Sequence, residues 1–401
     1  MSRKTIIVPK GRSRAHAGSP WIFSNEIRMD PAAKALASGT LVNVRGEDGR
    51  GFGTGYFNPK SLIAVRLLAQ DCDTVIDASF FAARLTRALA LRQGMYERPF
   101  YRLFHAEGDG MPGLVIDRFD DTLTVQIGTA GMERQLETIA AALEDVLKPK
   151  TVILRNDAPS RALEGLDCYV RALKGGASAK AGATQIEGRR IAVEENGARY
   201  IADLAEGQKT GWYYDQRDNR AFIAPLTRGK SVLDAYSYTG GFGILAAKSG
   251  AKDVVCLDSS APALAIAEES ARLNGVGIKP VKADVFEELE RLQAAGERFD
   301  IVLADPPPFV KSKKDLEPGA KAYRKLARLA AGVTAEGGLL MLASCSHNIP
   351  LERFAAECAQ GLLRAGRRAS LIRQAGAGPD HPVHPLLPES AYLKALVYAL
   401  D

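Results

Sequence analysis

Cysteine is scarce and unpaired in this chain. Cys72, Cys168, Cys256, Cys345 and Cys358 are five in number, and no two form a Cys-x-x-Cys pair. An odd, scattered set argues against a disulfide framework, and its spacing offers no metal site. Long apolar runs are also missing: no stretch approaches the ~20 residues that a membrane helix requires. The basic N-terminus leads into no apolar segment, so no secretory signal is expected. No internal repeat is present. These absences point to a reduced, soluble, cytoplasmic protein with neither a membrane nor a metal partner.

What is there supports more than one core. The 401 residues are 46% hydrophobic, enough for about two or three domains. The net charge of +6 is a mild basic excess that suits a polyanionic partner. Residues 1–72 read as short strands, expected at 5–8, 41–44 and 62–65. Gly49, Gly51, Gly53 and Gly55 punctuate a hairpin there. Lys10, Arg12, Arg14 and His16 interleave with Trp21 and Phe23. RNA is held by such a surface, through backbone charge and base stacking. Solvated charges beside core aromatics would give the same pattern. Residues 73–185 read as a second α/β unit of strand–strand–helix–strand type, with a further helix over 80–96 in front of it. Arg155 to Glu164 is rich in charge, and a structural loop is the favoured reading. Residues 172–188, rich in Ala, Gly and Lys, read as a linker and place a boundary near 185.

From 186 onward strand and helix alternate, which predicts a largely parallel, doubly wound sheet. Asn196-Gly197 between apolar runs is a hairpin signal. The organising stretch spans 231–258. A short apolar strand ends on Asp234. Gly240, Gly241 and Gly243 then permit a tight turn and close approach of backbone to a ligand. A helix follows, and the next strand ends on Asp258. In nucleotide-binding α/β folds an acid about 20 residues past the glycine turn takes a ribose hydroxyl. Asp258 is placed to do so, with Ser259 beside it. A further short strand leads to Asp284 and Val285, where adenine would be read. Upstream, Lys209, Tyr214 and Arg217 lie in a segment dense in cations and aromatic walls. These loops follow strand C-termini, where ligands bind in such sheets.

Two later loops select a reaction. Asp305-Pro306-Pro307-Pro308-Phe309 follows a buried strand. Amino-methylases of nucleic acids place an acid or Asn, two prolines and then an aromatic around an exocyclic amine. Here Pro308 stands between the proline pair and Phe309. Ser344-Cys345-Ser346-His347 follows the next strand. Carbon 5 of a pyrimidine is a poor nucleophile until a thiolate adds at carbon 6, which requires an activated cysteine. Cys345 is the candidate nucleophile. Asp305 is the candidate to hold the ring nitrogen and amine of cytosine. Cys256 and Cys358 read as small buried residues, and His381 and His384 as loop residues.

The order D-A-Y-S-Y-T-G-G-F-G, acid first and glycines later, resembles motif I of class I S-adenosylmethionine (AdoMet) methyltransferases. P-K-G-R-S-R, G-S-P-W-I-F-S and G-T-G-Y-F-N-P-K-S near the front resemble a PUA-type RNA-binding barrel. With Q-K-T-G-W-Y-Y-D-Q-R, D-P-P-P-F and S-C-S-H, essentially the whole chain resembles the ribosomal RNA large subunit methyltransferase I family. The resemblance implies an α/β fold whose C-terminal part, 186–401, is a class I AdoMet methyltransferase with a Rossmann-like, seven-stranded, mostly parallel sheet. A small β-barrel PUA domain at 1–72 and a small α/β central domain at 73–185 would precede it. AdoMet would be held by Asp234, Tyr236, Ser237, Thr239, Gly240, Gly241, Asp258, Ser259, Asp284, Val285, Tyr214 and Arg217. The reaction implied is formation of 5-methylcytosine in large-subunit (23S) ribosomal RNA through Cys345 and Asp305. Lys10, Arg12, Arg14 and Lys209 are the expected RNA contacts. Two alternatives stand beside it: methylation of an exocyclic amine of guanine or adenine in RNA, and an RNA-binding assembly factor without turnover. The sequence does not fix the oligomeric state, and a homodimer stays open.

Overall fold

Period-two apolar alternation between glycine turns builds the first part of the chain. The computed structural model describes residues 3–11, 13–175, 190–207 and 210–401. Arg12, Lys209 and the expected linker from 176 onward therefore lie outside the described residues. The chain divides into two compact units. The first draws on residues 1–189, 203–212 and 379–390, the second on 190–202, 213–378 and 391–401. No helix among the described residues is long and apolar enough to cross a membrane.

In the first unit, β1 (Lys4–Val8), β2 (Trp21–Ile22), β3 (Thr40–Gly46), β4 (Gly51–Phe57) and β5 (Val65–Ala69) form one sheet in the order β1-β3-β4-β5-β2. A single turn of helix, α1 (Pro31–Lys34), is capped by Asp30. Ile6, Val8, Val42, Val44, Phe57 and Val65 fill the core of this sheet. The strand expected at 62–65 instead begins at Val65. The preceding residues turn, with the Asn58 amide donating to the Ala64 carbonyl at 2.8 Å, and Leu62 is 71% exposed.

A second sheet follows helix α2 (Ala78–Met95). It holds β6 (Phe100–His105), β7 (Leu114–Phe119), β8 (Thr122–Ile127), β9 (Thr151–Asn156) and β10 (Tyr169–Lys174) in the order β10-β9-β8-β7-β6. Strands β8 and β9 are parallel, so the chain crosses between them through α3 (Ala130–Glu133) and α4 (Leu136–Leu147). Phe81 and Leu85 of α2 and Ile139 and Leu143 of α4 pack on Leu103, Ile116, Val125 and Leu154. Strands β6 and β10 extend this sheet beyond the expected strand–strand–helix–strand order.

The charged stretch after β9 is structural, as expected. Glu164 is buried and accepts from Asn58 Nδ2 at 2.8 Å, Ser61 Oγ at 3.0 Å and the Ala130 amide at 3.4 Å. Arg66 pairs with it at 3.5 Å. Glu164 thus ties the first sheet to the crossover of the second. Removing one partner of a buried charged network leaves the others uncompensated, so Glu164→Ala should cost about 3 kcal/mol. Urea denaturation of the full chain checks this.

In the second unit, β11 (Arg190–Glu195) and β12 (Ala198–Asp203) form the expected hairpin. Asn196 (φ 51°) and Gly197 (φ 76°) both adopt the positive φ that a primed two-residue turn demands. Helix α5 (Arg217–Ile223) then leads to a seven-stranded sheet. Its strands are β13 (Ser231–Ala235), β14 (Asp253–Asp258), β15 (Lys279–Lys282), β16 (Phe299–Ala304), β17 (Thr334–Ser344), β18 (Ala369–Ala375) and β19 (Lys394–Leu400). The order is β15-β14-β13-β16-β17-β19-β18. Pairings from β15 through β17 are parallel, whereas β19 runs antiparallel to both β17 and β18. The sheet is therefore mixed.

Helices α6 (Gly241–Lys248), α7 (Ala261–Leu273), α8 (Val285–Ala294), α9 (Leu316–Gly332) and α10 (Leu351–Arg364) cover both faces. Val232, Val254, Ile301 and Met341 meet Ile223, Phe242 and Leu264 on one side. Their neighbours Leu233, Leu257, Val302 and Leu340 meet Leu289, Leu326 and Phe354 on the other. Strand order reverses between β13 and β16, so a crevice opens at the carboxyl ends of these strands, the position where ligands bind in open α/β sheets.

Candidate active site

The glycine turn after β13 is held in a left-handed backbone. Tyr236 (φ 62°), Tyr238 (φ 50°) and Gly240 (φ 81°) all lie in that region. Outside glycine such conformations store strain and cluster at ligand sites. The Ser237 amide fastens the turn to β14 through the Leu257 carbonyl at 3.1 Å. Gly243 brings α6 against the sheet: a Cβ there would stand 2.5 Å from Cys256 Sγ and 3.2 Å from Asp234 Oδ2. That closeness lets the Gly243 amide donate to Asp234 Oδ2 at 2.8 Å.

Two hydroxyls at this turn, Ser237 Oγ and Thr239 Oγ1, are buried without a hydrogen-bond partner. A buried, unsatisfied hydroxyl costs about 1–3 kcal/mol, which a polar ligand would recover. Three carboxylates converge nearby. Burial raises the Asp234 pKa to about 7; the Gly243 amide opposes the shift, and the charges of Asp305 and Asp258 add to it. Orphaned hydroxyls beside clustered acids fit a polar cation, and AdoMet carries both an ammonium and a sulfonium.

The shift has a sign that can be tested on the free protein. A carboxyl whose folded pKa is raised contributes stability that is full below its unfolded value and lost as pH rises through about 7. Stability of the wild type should fall across that window by up to about 1.4 kcal/mol per pH unit. Asp234→Asn should flatten the slope, as urea denaturation at pH 5 and pH 8 would show.

The other cofactor candidates are placed as follows. Asp258 accepts from the Tyr238 amide at 2.9 Å and the Ser260 amide at 2.8 Å, which fixes its carboxylate at the end of β14. Asp284 caps α8, accepting from the amides of Phe286 and Glu287. Val285 is buried in the first turn of that helix and Ser259 is exposed. Gly241 opens α6. Arg217 lies 5.3 Å over the Tyr214 ring and shares the buried Glu195 with Arg220.

The reaction loops come from adjacent parallel strands, β16 and β17. Asp305 follows β16, and its Oδ2 accepts from Gln216 Nε2 at 2.8 Å. Asn219 in turn holds Gln216 Oε1 at 2.7 Å. Neighbouring residues of extended chain point opposite ways. Ser344 and Ser346 are accordingly buried, both bound to the Tyr323 hydroxyl, at 2.8 Å and 3.0 Å. Cys345 between them is partly exposed, with Sγ 4.0 Å from the Pro306 carbonyl oxygen. Burial, then the charges of Tyr238, Asp215, Asp305 and Cys345, push the Tyr213 phenol up, so it stays an O–H donor. Exposed His347 rests its ring on Tyr392 at 5.2 Å. Phe309 packs 4.7 Å from Tyr323 and 5.9 Å from Phe286.

Gln216, Asn219, Tyr213 and Tyr323 were not singled out by sequence. The polar density of 207–220 was the available signal for the first three; Tyr323 sits in a helix with none. Cys256 and Cys358 are buried among apolar residues, as expected.

Of the expected RNA contacts of the first unit, Lys10 and Arg14 lie among the described residues. Lys10 is exposed, and its amide is held by Glu47 at 3.1 Å. Arg14 pairs with Glu389 at 2.8 Å and covers Phe23 at 5.2 Å. Trp21 donates its indole N–H to Glu107 at 2.8 Å, with Arg66 5.3 Å over its ring. His381 is buried against Asp380.

Comparison with known proteins gives these sites a context. A family described as S-adenosylmethionine-dependent methyltransferase matches residues 101–398, and a PUA-like domain family matches 6–70. The ribosomal RNA large subunit methyltransferase I of Shewanella denitrificans is 36% identical over 399 residues, 98% of each chain. The protein of that name from Aeromonas salmonicida is 37% identical over the same share. Among solved structures, a candidate SAM-dependent methyltransferase from Streptococcus mutans superposes with a TM-score of 0.81 at 20% identity, covering 99% of this chain and all of its own. A methyltransferase-like chain crystallised with SAH gives 0.83, also at 20% identity, over 99% of this chain and 100% of that one. The fold is thus that of AdoMet-dependent methyltransferases behind an N-terminal PUA-like domain, and the chain belongs to the ribosomal RNA large subunit methyltransferase I family.

Proposed function

We propose that this protein transfers a methyl group to carbon 5 of a cytosine in large-subunit (23S) ribosomal RNA, with Cys345 as covalent nucleophile. One observation carries the reading. A partly exposed thiol stands on a loop braced by two buried serines, one strand away from an acid oriented by Gln216. Cys345 Sγ adds to carbon 6, and the electron pair of the ring double bond moves to carbon 5. Bound AdoMet supplies an electrophilic methyl group. Carbon 5 would take the methyl as the sulfonium's S–CH3 bond breaks, the pair staying on sulfur as a neutral thioether; loss of the carbon-5 proton to base would then return a pair that expels the thiolate and restores the double bond. Asp305 holds the N3/N4 edge of cytosine throughout, and Tyr213 offers an O–H donor beside it.

Asp234, Ser237 and Thr239 would hold the methionine part of the cofactor at the turn of Tyr236, Gly240 and Gly241. Asp258 and Ser259 would take the ribose, Asp284 and Val285 the adenine, and Tyr214 and Arg217 would close the pocket. Lys10, Arg12, Arg14 and Lys209 would meet RNA phosphates, as part of a PUA barrel over 1–72, a central domain over 73–185 and a catalytic domain over 186–401. Pro308 between the proline pair and Phe309, and the packing of the partly buried Phe309 against Phe286 and Tyr323, support this reading over an exocyclic-amine methylase.

Fluorine at carbon 5 cannot leave as a proton. Large-subunit rRNA fragments containing 5-fluorocytidine should therefore trap wild-type protein as a denaturation-resistant adduct when AdoMet is present. Peptide mapping should place the link on Cys345. Methyl transfer to natural RNA without any trapped adduct would refute the covalent route.

A further inference from the structure

We infer that Lys311, Lys313 and Lys314 hold RNA phosphates beside the reacting base; the inference rests on the large-subunit rRNA substrate proposed above and adds the groups that take its backbone. The three lysines follow Asp305-Pro306-Pro307-Pro308-Phe309-Val310, on the segment that runs from the carboxyl end of β16 to α9. All three are exposed. None of them makes an ion pair or a side-chain hydrogen bond among the described residues.

This segment is built onto the loop of Cys345. The Val310 amide donates to Ser346 Oγ at 3.3 Å, and Asn348 Nδ2 donates to the Lys311 carbonyl at 3.0 Å. The Tyr323 hydroxyl accepts from the Phe309 amide at 3.4 Å and also bonds Ser344 and Ser346, so one phenol serves both loops. Val310 is 1% exposed. Helix α9 lies close against it: a Cβ on Gly319 would stand 2.6 Å from both the Phe309 carbonyl oxygen and Val310 Cγ2. The backbone that carries Lys311 is therefore tied to the loop that carries Cys345, and its flexible stem is what binding must order.

The neighbouring acids leave these cations free. Asp315 accepts from Ser312 Oγ at 2.7 Å, and Glu317 takes both Nη groups of Arg353, at 3.0 Å and 2.8 Å. Meanwhile β13 and β14 carry Asp234 and Asp258 at their carboxyl ends, and β16 leads into Asp305. Carboxylates of one sign in a cleft add to one field. An RNA backbone approaching them is repelled unless cations stand alongside. A base that reaches Cys345 must leave its stack, and its flanking phosphates stay outside with the chain. Lysine suits that contact, as a point charge that accepts a phosphate oxygen from many directions. Such contacts position the strand and carry no sequence information, which leaves recognition of the base to Asp305.

Two measurements test this on the full chain, with an unmodified large-subunit rRNA transcript as the probe and no AdoMet. The first maps lysine acetylation in the wild type by peptide mass spectrometry. RNA should protect Lys311, Lys313 and Lys314 at least about fivefold. Lys230, Lys252 and Lys279, exposed at the amino ends of β13, β14 and β15, should stay reactive. The second follows rRNA affinity against salt. Combining Lys311→Gln, Lys313→Gln and Lys314→Gln should flatten the slope of log K on log salt by about 2, at about 0.7 per lost single-strand contact. Affinity near ~0.1 M salt should fall at least about tenfold, and KM for rRNA should rise with it. Combining Lys230→Gln, Lys252→Gln and Lys279→Gln removes the same charge from the opposite end of the sheet and should change affinity less than about twofold.

Absent protection of Lys311, Lys313 and Lys314, or equal protection of both sets, overturns the inference even if the triple variant fails to fold. A folded triple variant that keeps the wild-type slope overturns it while leaving rRNA as the substrate, and so does a loss matched by the variant at the amino ends. Methyl groups found on an exocyclic nitrogen would instead remove the carbon-5 assignment and leave the protected lysines standing, so the two failures are distinct.

Discussion

Cys345→Ala should lose at least about 10³-fold in methyl transfer to rRNA, while binding AdoMet within about twofold of wild type by calorimetry. The loss is large because carbon 5 of cytosine becomes nucleophilic only after addition at carbon 6, and no other cysteine of the second unit follows a strand of its sheet as Cys345 does. Cys256 and Cys358 are buried in the core of the second unit, and Cys72 and Cys168 belong to the first. The fold should tolerate the change. The loop is held by Ser344 and Ser346 on Tyr323, and Cys345 is partly exposed. Thermal unfolding of the variant should match wild type. Turnover within tenfold of wild type would demote Cys345 to a structural residue.

Asp305→Ala carries the second large effect, a fall of about 10²–10⁴-fold in kcat, the range for a lost positioned acid or base. The carboxylate follows β16 and is aimed by the chain Asn219–Gln216–Asp305. That chain predicts a graded series. Gln216→Leu removes one of the bonds that orient the acid, and should cost about tenfold, since catalytic groups depend on the bonds that hold them. Asp305→Asn should fall between the two. Equal kcat values for Asp305→Ala and wild type, measured at saturating AdoMet, would take Asp305 out of the reaction.

Much of this site was legible because its residues follow short apolar strands in fixed order. The strands that carry Asp234 and Asp258 and lead into Asp305 and Cys345 announce themselves as apolar runs rich in Val, Leu and Ile, and alternation with helices orders them. The first unit was harder to read. In β6 a buried Arg102, paired with Asp117 at 2.6 Å, interrupts what would otherwise read as an apolar strand. In β10 the residues are partly or fully exposed, as befits an edge, and no apolar face marks the strand. Trp21 resembled a stacking platform, yet its indole N–H is committed to Glu107, which spacing along the chain cannot show. Asp284 reads as a ligand acid from its place after β15, and the structure adds that the same carboxylate caps a helix.

The central claim is the site of methylation, and mass analysis of the product tests it most directly. Large-subunit rRNA incubated with the protein and AdoMet is digested to nucleosides and analysed by mass spectrometry. The account predicts that 5-methylcytidine appears, and that it is absent when Cys345→Ala replaces wild type. Methyl groups on an exocyclic nitrogen of guanosine or adenosine would contradict it.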